Sequence, residues 1–269
     1  MVYVNPVEED WADGSRYDQL GTPFYLSPDK LQSDYNPVRF SREIRLFRRF
    51  VPQGRVLDVG CSTGAFLFHL QACFPGQYQA TGIDVSGPAL DHAESQGVRV
   101  LRTSFLETDF GPASLDAITF WAVAEHLMDP GRFLRHAMGL LRPGGRCFVL
   151  VPNFRSLAVR LLGQRYRYIF PQHLNYFTAG TLGQLAATLP ATRVLHTTSM
   201  HFNPIVIVQD ARSDGGFVAD EERARLLRKT TGYKNNPLLT PVRYAIAGVE
   251  ALLGTCGLAD NTVLVLERR

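Results

Sequence analysis

From residue 55 onward, apolar runs of strand length alternate with segments whose apolar positions recur every three or four residues. Strand-then-helix alternation is the mark of βαβ units, because each strand of a parallel sheet needs a crossover before the next. The pattern predicts strands near 55–60, 78–84, 98–102, 115–121 and 146–151, with helices near 64–73, 87–95 and 130–141. Local chemistry supports several boundaries. Pro75-Gly76 closes the first helix, Ser86 is placed to cap the second, and Asp129 to cap the third with Pro130 at its first position. Beyond Pro152 the pattern predicts helices near 154–163 and 178–188, the latter started by Thr178, and strands near 193–200 and 261–267.

The flanking regions read differently. Phe40, Ile44, Phe47 and Phe50 fall on one face of a helix running from about Pro37 to Phe50, which predicts contact with the sheet. Residues 201–258 form an excursion between the last two strands. Within it Asp210–Gly216 reads as loop, Asp220–Lys229 as a charged helix and Thr240–Leu253 as an apolar one. The apolar helix suits simple packing, a lid over a site, a homodimer contact or a membrane surface. The domain expectation is an N-terminal extension over 1–50, a core over 51–200 with an acceptor-side segment at 153–190, an insertion over 201–260 and a last core strand at 261–269.

Composition narrows the class. A chain of 269 residues with 45% hydrophobic content can bury a large core without disulfides or metal. Cys61, Cys73, Cys147 and Cys256 are scattered with no Cys-x-x-Cys pair, which argues for a reducing compartment and against a zinc site. Met1–Trp11 carries Glu8, Glu9 and Asp10 and lacks a basic region followed by an apolar one, so a secretory signal is not expected and the cytoplasm is. No segment reaches the ~20 apolar residues of a membrane span. Residues 1–150 hold 14 Lys+Arg against 17 Asp+Glu, whereas 151–269 hold 14 against 8. That asymmetry favours an anionic acceptor or, more simply, solvated arginines on helix faces.

The chemistry concentrates where the first strand ends. Val56-Leu57-Asp58-Val59-Gly60-Cys61-Ser62-Thr63-Gly64 is an apolar strand running into a turn that keeps glycine at two positions and then opens a helix. Glycine lets the chain turn sharply without a Cβ, so a nucleotide-like ligand can approach the main chain there. Asp84, at the end of the second strand, is a carboxylate able to accept two hydrogen bonds from a ribose diol. A dinucleotide dehydrogenase uses an acid in the same way but needs Gly-x-Gly-x-x-Gly. Ser62 stands at the middle glycine and Phe66 or Leu67 at the third, which weakens the pyrophosphate reading.

With the Pro143-Gly144-Gly145 turn added, these segments resemble the class I S-adenosylmethionine (SAM) dependent methyltransferases. Val56–Leu67 resembles that family's first motif, Thr81–Ala89 the second, Leu115–Pro130 the fourth and Leu141–Pro152 the segment after it. The resemblance implies an α/β fold, a Rossmann-like seven-stranded sheet that is mostly parallel with an antiparallel last strand and helices on both faces. It implies SAM as cofactor, with Asp58 near its methionine end and Asp84 on the ribose. Gly60, Cys61, Ser62 and Gly64 would form the loop, and Val85, Ser104, Phe105, Phe120 and Trp121 would complete the site. Many relatives carry aspartate where Ser104 stands, which weakens the expected adenine contact.

A narrower likeness is to the bacterial UbiG-like, type 12/23 group. It rests on Val2–Pro6, on Glu125-His126-Leu127 followed by Asp129-Pro130, and on Pro152-Asn153, Ser156, Gly163, Arg165-Tyr166 and His173-Leu174 followed by Phe177-Thr178. The zinc-ribbon cysteines that precede Val2–Pro6 in many members are absent. That group's Trp-His-Val-Leu-Glu-His pattern reads Trp121-Ala122-Val123-Ala124-Glu125-His126 here, so its first histidine is missing. The resemblance implies acceptor contacts from Glu125, Asn153, Tyr166, Asn175 and Tyr176, with Trp121 and Tyr168 as further aromatic candidates.

Methyl transfer from a sulfonium is an in-line displacement, so the protein's work is alignment and water exclusion, with effective molarities of ~10⁵ M or more from proximity. A hydroxyl acceptor also benefits from a general base by roughly 10²- to 10⁴-fold. His173 and His126 are the candidates, His173 preferred; the structural alternative for His173 is to hold its loop through a neighbouring carbonyl, and for His126 to fix, with Glu125, the loop against the Asp129 helix start. The expected reaction is O-methylation of a sugar, a lipid-linked compound or another small metabolite, without a metal. The alternatives are a SAM-binding partner without turnover and, further off, nucleic-acid methylation, which usually carries an Asn/Asp-Pro-Pro-Tyr/Phe segment where Ala122–His126 stand. No nucleic-acid partner is expected.

Overall fold

A computed structural model describes residues 2–3, 22–169, 172–212, 220–235 and 239–269. Its centre is a seven-stranded sheet assembled around β2 (Gly54–Val59). On one side of β2 lie β3 (Tyr78–Asp84) and β4 (Val100–Arg102), and on the other β5 (Leu115–Trp121), β6 (Leu141–Pro152), β9 (Asn261–Arg268) and β8 (Thr192–Met200). β4, β3, β2, β5 and β6 run parallel, while β9 is antiparallel to both β6 and β8. The fold is the seven-stranded Rossmann-like sheet that the sequence predicts. The chain leaves β2 outward to β3 and β4, then returns to start β5 on the other flank. That reversal opens a crevice beyond the tips of β2 and β5, the place where open α/β sheets take ligands.

Helices α4 (Ala65–Cys73), α5 (Gly87–Ser95) and α6 (Pro130–Leu140) are the crossovers. Asp129 caps α6 by accepting the Arg132 N–H at 2.8 Å, and Thr178 caps α8 (Ala179–Ala187) through a reciprocal bond with Thr181. Ser86 departs from expectation: it occupies the cap position of α5, yet its hydroxyl makes no capping bond. Its N–H is instead tied to Asp84 Oδ1 at 3.0 Å. Strand β6 starts at Leu141, well ahead of the predicted residue 146, because Leu141 pairs with Leu115 across the Pro143-Gly144-Gly145 turn.

Helix α3 (Ser41–Phe50) lays its apolar stripe on the sheet as the spacing predicts. Phe47 is fully buried, with ring centroids 5.0 Å from Phe148, 5.7 Å from Tyr78 and 5.9 Å from Phe66. Ahead of it the sequence pattern gives no sign of α1 (Thr22–Tyr25) and α2 (Pro28–Asp34), which are too short to show a period. After β6 come α7 (Leu157–Leu162), shorter than predicted and closed by a 3₁₀ turn over Gly163–Arg165, and β7 (Asn175–Tyr176). Strand β7 pairs with β1 (Val2–Tyr3), so the start of the chain lies beside the acceptor-side segment; Val4–Pro6 of the motif lie outside the described residues.

The excursion between β8 and β9 is helical. It holds α9 (Pro204–Arg212), α10 (Asp220–Asn235) and α11 (Thr240–Thr255). Helix α9 corrects the expected loop from Asp210: Asp210 is buried and takes the Arg167 side chain at 2.8 Å and its N–H at 3.0 Å, and this anchorage holds the last turn helical. Residues 213–216 of that expected loop lie outside the described residues. Helix α10 reaches back to α2 through Ser33–Thr231, 2.8 Å between hydroxyls, and Arg228–Asp29 at 3.0 Å. Helices α1, α2 and α10 thereby roof the crevice.

Candidate functional site

Between the strand tips and this roof lies a chamber of about 780 Å³. Its floor begins at the turn after β2. Gly60 has φ +70° and a Cβ there would stand 2.6 Å from Val123 Cγ2, so the close approach of the β2 and β5 tips admits only glycine. Gly64, at φ +75°, faces Ala93 in the same way at 2.9 Å. The loop's own N–H groups are largely used inside the protein. Gly60 and Cys61 both donate to the Ile83 carbonyl, at 2.8 and 3.2 Å, and Ser62 donates to Asp84 Oδ2 at 2.8 Å. Asp84 thus clasps Ser62 and Ser86 with one oxygen each, and a carboxylate oxygen has a second lone pair for a further donor. The α4 N-terminus supplies N–H groups without intrahelical partners beside it.

Asp58 lines the same end. It is buried, accepts the Thr119 hydroxyl at 2.6 Å, and burial together with the Asp84 charge raises its pKa to about 7. From the roof, the Tyr35 hydroxyl donates to the Thr63 carbonyl and His69 Nε2 meets the Asp34 carbonyl at 2.9 Å. Tyr25 hangs into the chamber, its phenol pushed up to about 12 by burial and then by the Asp84 charge.

The other end is formed by Glu125, His126 and His173. Each histidine Nδ1 lies 2.8 Å from a backbone carbonyl, that of Gln172 for His126 and that of Tyr168 for His173. A carbonyl only accepts, so in the neutral rings Nδ1 carries the proton and Nε2 is the acceptor. Burial keeps both neutral, lowering His126 to about 4 and His173 well below the usual imidazole range with help from His126. Burial also raises Glu125 to about 8, and its Oε2 has no hydrogen-bond partner among the described residues. One donor atom from each of the three lies within 4.8 Å of the others, a set that suits a relayed proton or a divalent cation. The sequence reading expected no metal; nothing in the residue pattern showed that His173 joins the Glu125-His126 pair.

The chamber gathers orphaned polar atoms. Among the described residues nine buried side-chain atoms make no hydrogen bond, and six belong to residues lining it: Asp34 Oδ1 and Arg39 Nε, which face each other as an ion pair at 3.5 Å, and one atom each of Glu43, Trp121, Glu125 and Asp260. Buried polar groups are ordinarily satisfied, so this concentration marks a place built for a polar ligand. Backbone strain gathers there too, since Ser62, Ala122 and His201 are non-glycine residues at φ +49°, +59° and +66° and all three line it.

The expected residues divide. Asp58, Gly60, Cys61, Ser62, Trp121, Glu125, His126, Tyr166 and His173 line the chamber, with Gly64 and Asp84 directly behind the loop. Phe105 and Phe120 do not reach it; they pack edge to face at 5.8 Å in the core between sheet and α6. Val85 is 54% exposed outside it, and Ser104 serves a 3₁₀ turn through its carbonyl. Asn153 and Asn175, expected at the acceptor, have their carboxamides committed to the protein: Asn153 donates to Gly257 and Ala259 carbonyls at 3.0 and 2.9 Å, and Asn175 to Leu127 at 2.7 Å. They clasp loops, and Tyr176 packs beside Phe154 at 5.3 Å. Residue type had suggested polar contacts that packing consumes. The lining residues Tyr25, Asp34, Arg39, Arg223 and His201 carry no local signal, because only the roof's tertiary folding brings them in.

Comparison with known proteins gives a consistent picture. The family described as methyltransferase domain matches residues 35–189. A ubiquinone biosynthesis O-methyltransferase of Caulobacter vibrioides is 31% identical over 208 residues, covering 64% of this chain and 80% of its own. Among solved structures, a SAM-dependent methyltransferase of Thermotoga maritima superposes with TM-score 0.57 at 14% identity, over 95% of this chain and 98% of its own. A SAM dependent methyltransferase of Archaeoglobus fulgidus gives 0.55 at 18% identity, over 93% and 99%.

Proposed function

This chain belongs to the methyltransferase domain family and is a SAM-dependent methyltransferase of class I; from that premise we propose that it methylates an oxygen of a small-molecule acceptor. When bound, SAM supplies the activated methyl group. In this reading Gly60, Cys61, Ser62 and Gly64 form its cradle, Asp84 takes the ribose hydroxyls and Asp58 lies toward the amino-acid end. The observation that carries the reading is the glycine-only turn, with the Asp84 clasp directly behind it, at the floor of a chamber lined by buried polar atoms that make no hydrogen bond among the described residues.

His173 is the proposed base. Its Nδ1 is fixed on the Tyr168 carbonyl, which turns Nε2 into the atom that accepts the acceptor's hydroxyl proton. Burial keeps the ring neutral at ordinary pH, so Nε2 carries no proton, and the same burial lowers the basicity with which it takes one. His126, held on Gln172, orients the neighbouring ring, with centroids 4.8 Å apart. The acceptor class is a sugar, a lipid-linked compound or another small metabolite.

A second reading, a SAM-binding partner without turnover, draws on Ala122 standing where the related group has histidine. Calorimetric titration with SAM and S-adenosylhomocysteine, followed by methyl release in the presence of fractionated metabolites, separates the two. Acceptor-dependent release supports transfer; tight binding with no release from any fraction supports the silent partner.

A further inference from the structure

Helix α11 is turned inside out. Its buried positions are Glu250 and Leu253, while Val242, Tyr244, Val249 and Leu252 are 49%, 75%, 45% and 65% exposed. The one acidic residue of the helix faces inward because it is fully engaged there: Glu250 pairs with Arg42 of α3 and accepts the His201 N–H at 2.8 Å. An exposed helix face ordinarily carries the polar residues, so this arrangement leaves an apolar face with no covering partner among the described residues.

The surroundings of that face are basic. Arg45 and Arg49, one turn apart on α3, and Arg243 on α11 are exposed, and none has an ion-pair partner among the described residues. The only acids on these two helices, Glu43 and Glu250, are buried and bound to His201 and Arg42. The face also adjoins the chamber, whose wall includes Arg45, Arg243, Tyr244, Ile246 and Ala247. An apolar ridge with an exposed tyrosine, flanked by unpaired arginines, has the chemistry of a bilayer interface. Apolar side chains enter the acyl boundary, the phenol sits at headgroup level and guanidinium groups meet lipid phosphates.

We propose that α11 docks the protein on an anionic phospholipid surface, so that the chamber opens toward the membrane. This deepens the proposed function by choosing among its acceptors: an amphiphile whose polar head enters the polar chamber while its apolar part stays in the bilayer. Charge complementarity and continuity with the chamber favour lipid over a second copy of the chain, because two such faces would bring like-charged arginines together. Among the described residues no helix is long and apolar enough to cross a membrane, so the association is peripheral.

The test is co-sedimentation of the full chain with vesicles of phosphatidylcholine alone and of phosphatidylcholine with roughly one-third phosphatidylglycerol. The expected result is at least ~tenfold stronger partition onto the anionic vesicles, weakened by salt, and a loss of ~tenfold or more in the variant Val249→Asp/Leu252→Asp. Val249→Ser/Leu252→Ser serves if the aspartates impair folding, and SAM calorimetry on either variant reports an intact cofactor site. Equal partition onto both vesicles, or variants that sediment like wild type, would overturn the proposal. So would a concentration-dependent dimer in light scattering that the variants abolish without any vesicle binding. None of these readouts requires turnover, so they fail independently of the methyl-transfer reading.

Discussion

The two ends of the chamber are built by opposite means. The cofactor end is made of two short stretches: a strand with a turn that only glycine can make at Gly60, and an acid one strand over that ties Ser62 and Ser86 in place. The acceptor end is made of side chains from segments nearly fifty residues apart, where His126 is fixed by the carbonyl of Gln172 and His173 by that of Tyr168. One end is set by backbone geometry and is rigid by construction. The other depends on burial, which holds two imidazoles neutral and a carboxyl protonated. A ligand shared by all members of a family can be met by main chain; an acceptor that varies is met by side chains on a packed scaffold.

The sharpest way to break this division is His173→Ala. Turnover in a methyl-release assay should fall by ~10²- to 10⁴-fold, the range a general base supplies, with SAM affinity kept. Unchanged turnover would return His173 to a purely structural role on the Tyr168 carbonyl. Gly60→Ala attacks the other end. Its Cβ would stand 2.6 Å from Val123 Cγ2 in a left-handed conformation, so it should destabilise the fold by ~1–3 kcal/mol and weaken SAM binding, read by thermal unfolding and calorimetry.

Glu125→Gln probes burial itself. The Glu125 carboxyl is raised from 4.5 to about 8, so the folded state holds its proton more tightly than the unfolded chain does. The resulting stability is fully present below about pH 4.5 and is lost as pH rises through about 8. The glutamine variant cannot ionise, so its unfolding midpoint should gain on wild type between about pH 4.5 and about pH 8 and hold that gain above it, and a constant difference across that range would show that the carboxyl is not buried as described.

The sequence is legible where function and fold coincide in a short stretch. Val56–Gly64 and Asp84 announce the crevice because strand, turn and acid recur at spacings that local geometry demands, and Asp129 and Thr178 announce their helices because capping is a four-residue event. Helices α1, α2 and α9 are hidden by their brevity or by a tertiary anchor such as Arg167–Asp210. Asn153 and Asn175 show the limit most plainly: their type fits an acceptor pocket, and only packing reveals that loop carbonyls already occupy their amides. Phe105 and Phe120 likewise belong to the core because α6 covers them with Phe133 and His136, 5.8 and 4.8 Å from the Phe105 ring.

The division between the two ends is tested most directly by calorimetric titration of SAM into wild type, Asp84→Ala and His173→Ala side by side. Loss of charge-assisted hydrogen bonds of about 1.5–3 kcal/mol should weaken Asp84→Ala by ~tenfold or more, while His173→Ala binds as wild type does. Wild-type affinity in Asp84→Ala, or a comparable loss in His173→Ala, would contradict the account.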